Sequence, residues 1–138
     1  MSKKEIATDQ LIAEIIKGIE EVKGQDTEIL DLREIENTVC DYFILCNGTS
    51  NTQVNAIVNS IQKSVSKNLQ EKPWHVEGSD NAEWVLIDYV HVVVHVFQRH
   101  IREFYDIEVL WGDAKTVKDA VELFVAGKCV EFGSDQTC

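Results

Sequence analysis

The sequence predicts a single α/β domain built on a mixed β-sheet flanked by helices. Three observations carry that prediction. The chain has 138 residues, which suits one domain whose core needs no disulfide or metal. Segments with helical spacing of apolar residues interleave with short runs of strand composition, in the order α-β-β-α-β-β-β-α. Two late runs are separated by so few residues that only a tight antiparallel hairpin joins them. The composition agrees: 44% hydrophobic and 27% charged residues, one Pro and seven Gly, as in ordinary soluble globular chains. No apolar run reaches the ~18 residues of a membrane span. No apolar stretch follows the basic N-terminal residues, so no signal peptide is expected.

Leu11, Ile12, Ile15, Ile16, Ile19 and Val22 recur with helical spacing, which predicts an amphipathic helix over about 9–23. Thr8 or Asp9 is placed to cap it and Gly24 to end it. Residues 27–32 alternate as a strand. Asp41 to Cys46 is a short apolar strand broken by Asn47-Gly48-Thr49. Ser50 and Gln53 have capping-box spacing and start a second helix, whose apolar face is Val54, Ile57, Val58, Ile61, Val65 and Leu69. Pro73 lies beyond its end. Trp74 to Glu77 reads as a short strand, and 84–88 and 92–97 as the two strands of the hairpin. A helix is expected over 99–110, a short terminal helix over 117–125, and a frayed tail from Gly127.

The formal charge is −11, from 24 acids against 13 bases. Nucleic-acid affinity comes mostly from Lys and Arg on phosphates, so direct DNA binding is disfavoured, as is attachment to a membrane through a polybasic face. A basic protein partner fits the sign, although acidity also serves solubility alone. Cys40, Cys46, Cys129 and Cys138 form no CxxC pair and read as free cytosolic thiols, with Cys46 a small core residue.

Three constellations are candidates for chemistry. Gly48-Thr49-Ser50 lies between a strand and a helix, where free N–H groups and the helix dipole hold phosphates. Nucleotidyl transfer also needs a carboxylate pair about a dozen residues later to hold Mg²⁺. That window, Ile61 to Val65, has no acid, and a helix cap is the simpler reading. His91 and His95 share a strand face but stand ~13 Å apart, too far for one metal, and no Cys–His activating pattern is present. Neither a metal nor any other cofactor is expected. The aromatics Trp74, Trp84, Tyr89, Phe97, Phe104, Tyr105 and Trp111 are mostly core candidates. A face mixing Trp84, Asp88 and, from the next strand, His95 reads as a sheet surface made for a partner.

Several blocks carry a family resemblance. They are Cys40-Asp41-Tyr42-Phe43-Ile44-Leu45-Cys46-Asn47-Gly48-Thr49-Ser50, Glu77-Gly78 with Glu83 to Tyr89, Val92 to Phe97, and Arg102-Glu103-Phe104-Tyr105-Asp106-Ile107-Glu108-Val109-Leu110-Trp111. In this order, between about Thr8 and Asp113, they resemble the ribosomal silencing factor (RsfS/Iojap) family. Val90-His91 stands where that family has Gly-Asp, and Val109 where it has a basic residue. The resemblance implies a fold like a degenerate nucleotidyltransferase over 1–115, with 116–138 an extension, usually homodimeric and without catalysis. It implies binding to ribosomal protein fourteen of the large ribosomal subunit, sterically blocking the small subunit and repressing translation in the cytoplasm. The partner-binding residues it points to are Trp84, Asp88, His95, Arg102, Tyr105, Leu110 and Trp111. On this view Trp84, Leu110 and Trp111 are apolar anchors and Asp88 meets a basic side chain. The competing readings are a nucleotide-binding or nucleotidyltransferase-like enzyme using displaced carboxylates (Asp31, Glu77 or Asp88), a dimeric adaptor with another partner, and an organellar version of the factor.

Overall fold

The structure, a computed structural model, describes residues 3–33, 40–105, 131–132 and 135–136. Helix α1 is Lys3–Glu21, strand β1 Gln25–Asp31, β2 Tyr42–Gly48, helix α2 Asn51–Leu69, β3 His75–Glu77, β4 Trp84–Asp88, β5 Val92–Gln98 and helix α3 Arg99–Tyr105. The expected order holds throughout these elements. Short strands β6, Glu131–Phe132, and β7, Asp135–Gln136, pair antiparallel inside the stretch expected only to fray. The second half of the helix expected over 99–110 and the helix expected over 117–125 lie outside the described residues.

The first five strands form one mixed sheet in the order β1-β2-β5-β4-β3. The central pair, β2 and β5, is parallel, with Tyr42 opposite Val92 and Cys46 opposite Val96. Every other neighbouring pair in it is antiparallel. Side chains alternate across a strand, so the two sheet faces are readily told apart. One carries Ile44, Cys46, Val85, Ile87, Val92, Val94 and Val96, which pack with Leu11, Ile15 and Ile19 of α1 and Val54, Ile57, Val58, Ile61 and Val65 of α2. The opposite face carries Phe43, Leu45, Trp84, Leu86, Val93, His95 and Phe97, and these are buried as well.

Helix α1 starts six residues before the expected start, because Lys3 to Asp9 contains no Gly or Pro and good helix formers. Thr8 is therefore inside the helix and not its cap. The chain leaves α1 at Lys23, in the left-handed region at φ 61°. Gly24 follows because a Cβ there would meet Ile19 Cγ2 at 2.5 Å. Gly18 lets α1 and α2 touch: a Cβ on it would lie 2.8 Å from Ile61 Cα, and Ser60 Oγ donates to its carbonyl at 2.7 Å. Ser64 Oγ and Asn68 Nδ2 both donate to Glu14 Oε2, at 2.6 and 2.8 Å, and hold that carboxyl below its ordinary pKa.

Candidate functional site

The strand–helix junction after β2 is built by the capping pair the sequence predicts, with one change. Ser50 caps α2, its Oγ accepting from Gln53 N–H at 3.1 Å. The Gln53 amide oxygen does not return to the cap residue's own N–H. It accepts from Thr49 N–H at 2.7 Å and from Thr49 Oγ1 at 3.0 Å, while Nε2 donates to the Lys23 carbonyl at 3.2 Å. A Cβ on Gly48 would lie 3.2 Å from Gln53 Cβ, Cγ and Oε1. The side chain of Gln53 thus occupies the ground where a phosphate would need the Thr49 N–H. Among the described residues, no group of three or more His, Cys, Asp or Glu is arranged to hold a metal ion.

The displaced carboxylates do not converge either. Asp31 accepts from Arg33 N, Nε and Nη2 at 3.0, 2.9 and 2.7 Å, and those bonds lower its pKa to about 2. Glu77 pairs with His75 on β3. Asp88 Oδ1 accepts from Val90 N–H at 2.7 Å and closes the β4–β5 turn. His91 falls in that turn and not on a strand face with His95; its Nδ1 is 3.6 Å from Asp41 Oδ2. Cys40 and Cys46 are buried, Cys40 Sγ lies 3.5 Å from the Tyr42 carbonyl oxygen, and burial pushes Cys46 up to about 12, the opposite of an activated nucleophile. Cys129 and Cys138 lie outside the described residues.

The predicted partner-binding residues divide. Trp84, Asp88, His95 and Arg102 are all buried, which corrects the expectation of an open sheet face. Trp84 and His95 have no accessible surface. Trp84 Nε1 donates to His95 Nδ1 at 3.1 Å, so each ring satisfies a polar atom of the other. The His95 ring meets Phe43 edge-on with centroids 4.6 Å apart, and Trp84 lies 5.1 Å from Phe97. Pairing is what lets a polar-looking face be buried. Arg102, at the fourth position of α3, reaches back across the sheet. Its Nη1 donates to the carbonyl of Asp26 and to Asn47 Oδ1, the latter at 2.9 Å, and Nη2 is 3.7 Å from Glu28 Oε2. Asp26 sits at φ 53° where the β1–β2 register slips, and Arg102 accordingly ties α3 to that bulge. Tyr105 is the last residue of α3, and only its backbone is described. Leu110 and Trp111 lie outside the described residues.

A sequence model of the family described as "Ribosomal silencing factor during starvation" matches residues 5–131. The chain belongs to the ribosomal silencing factor family. The family match runs beyond residue 115, the boundary expected for the domain. A ribosomal silencing factor from Bacillus subtilis is 44% identical over 93 residues, covering 67% of this chain and 76% of that protein. A mouse protein named mitochondrial assembly of ribosomal large subunit protein 1 is 34% identical over 74 residues, 51% of this chain and 32% of its own. A crystal structure of a Chromobacterium violaceum protein superposes with a TM-score of 0.69 at 36% identity, covering 76% of this chain and 86% of the other. For a silencing-factor chain, the burial of Trp84 and His95 assigns them to the core. Sequence reasoning missed Asp26, Asn47 and Glu28 as the partners of Arg102. Asn47, a polar residue closing an apolar strand, was the one visible hint of a buried polar contact.

Proposed function

We propose that the protein docks on the large ribosomal subunit through the basic ribosomal protein fourteen and keeps the small subunit from joining, repressing translation in the cytoplasm. The observation that carries this reading is the family match over residues 5–131. The name of the mouse relative refers to the same subunit, and 24 acids against 13 bases complement a basic protein. The mechanism is occupancy. The bound factor needs only to outcompete the small subunit for its face at cellular concentration, and no bond is made or broken. Gln53 seated on Thr49 favours this over nucleotidyl transfer, and calorimetry with nucleoside triphosphate and Mg²⁺ should register no binding.

The contacts we assign are Tyr105, Leu110 and Trp111, within the matched block that α3 begins. Trp84, Asp88, His95 and Arg102 contribute from beneath, by fixing the sheet and the start of α3. The working unit is proposed to be a homodimer. The test is co-sedimentation with isolated large and small subunits at physiological salt. Migration with the large subunit alone is expected, and a subunit-joining assay should then show inhibition. Trp111→Ala should weaken the complex about thirtyfold, as loss of an anchor worth about 2 kcal/mol does. Failure of the folded wild-type protein to bind the large subunit would overturn the proposal.

A further inference from the structure

Among the described residues, Trp74 is the large hydrophobic side chain most open to water, at 80% exposure against 48% for Ile29 and 49% for Val90. Its backbone is nevertheless held. Helix α2 ends on Gln70 at φ 57°, whose N–H donates to the Ser66 carbonyl at 3.0 Å. Pro73 fixes its own φ, and Trp74 N–H donates to the Asp88 carbonyl at 2.7 Å. The indole is therefore displayed in solvent from a fixed base.

The charge of the segment leading into it runs against the rest of the molecule. From 61 to 75 the chain has Lys63, Lys67 and Lys72 against the single acid Glu71, in a protein that overall carries 24 acids to 13 bases. Lys63 and Lys67 stand one turn apart on the exposed side of α2, and Lys72 follows its end. Lys63 and Lys72 both line an open depression of about 450 Å³, with Gln62, Ser66, Glu71 and Pro73.

We propose that Trp74 with Lys63, Lys67 and Lys72 forms a secondary contact to ribosomal RNA, the indole stacking on an unpaired base and the lysines on neighbouring phosphates. An exposed aromatic among cations is the arrangement that single-stranded RNA takes, because every base offers a π-face and every linkage a charge. An acidic peptide would use the lysines and leave the indole idle. The net charge of −11 repels a polyanion at long range, so the contact forms only once the protein is seated by its main interface. The inference thus rests on the large-subunit reading above.

The test places the photoreactive residue p-benzoylphenylalanine at position 74 and irradiates the protein on isolated large subunits. Crosslinks to RNA are expected. Crosslinks to ribosomal protein alone, or none while the variant still co-sediments, would overturn the RNA contact and leave the docking intact. If the wild type does not co-sediment, the docking reading itself falls, and this inference with it. Trp74→Ala should weaken large-subunit binding about tenfold. The Lys63→Gln, Lys72→Gln pair should reduce the salt dependence of affinity by about one unit of slope per lysine. Affinity and slope both unchanged in these folded variants would overturn it.

Discussion

The two faces of the sheet are buried to the same degree by different chemistry. Toward α1 and α2 the strands present Ile44, Val85, Ile87, Val92, Val94 and Val96, and the helices answer with Leu, Ile and Val. That face is held by non-directional burial. The other presents Phe43, Trp84, His95 and Phe97 with Asn47 and Arg102, where Trp84 Nε1 meets His95 Nδ1 and Arg102 Nη1 meets Asn47 Oδ1 at fixed distances. The first face tolerates any well-fitting aliphatic set. The second depends on each directional bond, since a buried polar group that loses its partner costs more than the bond contributed.

The largest effect expected from this contrast is at Trp84. Trp84→Ala removes a fully buried indole and its bond to His95, and should cost about 3–5 kcal/mol, read as a lower urea midpoint at unchanged m. A loss near zero with weakened ribosome binding would turn the second face back into a docking surface. On the helix side the sensitive point is a close approach. Gly18→Ala should cost about 3 kcal/mol, the upper end for overpacking, because what its Cβ meets is the backbone of Ile61. If the loss is slight, α1 and α2 are free to slide apart. Arg102→Met keeps the stem but strips the Asp26 carbonyl and Asn47 of their donor; about 2 kcal/mol is expected, with faster amide exchange in α3 than in α2.

Two smaller effects lie where the faces meet solvent. Val90, a β-branched residue, is held at φ 78° in the hairpin turn, where glycine is at ease. Val90→Gly should stabilise the fold by about 1 kcal/mol after the entropy of a freer unfolded chain is offset, read as a higher unfolding midpoint. Asp31 titrates near 2 when folded, against an ordinary 3.8, chiefly through the Arg33 side chain. A depressed carboxyl stabilises the fold above its ordinary value and ceases to as pH falls through the folded one. The Asp31–Arg33 pair thus supports the fold above about pH 4 and fades toward pH 2. Asp31→Asn should flatten that limb of a stability–pH curve, slightly and less so in high salt, because both side chains are half exposed.

Much of this architecture was legible in the residues. Alternation and helical spacing placed the elements in order, and Ser50 with Gln53 marked the start of α2. The family blocks named the fold, and structural relatives agree. What periodicity does not encode is which polar side chains find one another across the sheet. Asp88 and His95 on a strand look like a solvent face, and only the register that sets His95 opposite Leu86 brings its ring to the Trp84 indole. Arg102 likewise looked like a surface cation, because its partners Asp26 and Asn47 are far away in sequence. Gly18 gave no signal, since its role is set by the crossing of two helices.

The parallel pairing of β2 with β5 has a consequence for how the molecule is born. β1, the antiparallel neighbour of β2, is made before it, but the strand that must close the other edge of β2 is the last of the five to leave the peptidyl-transferase centre. Until then the apolar run Phe43 to Cys46 waits with one edge open, through the synthesis of α2, β3 and β4. Long-range closure of this kind is slow, and a waiting edge invites wrong pairing. A protein proposed to act on the ribosome is therefore one whose own central strand pair is completed only late in its translation.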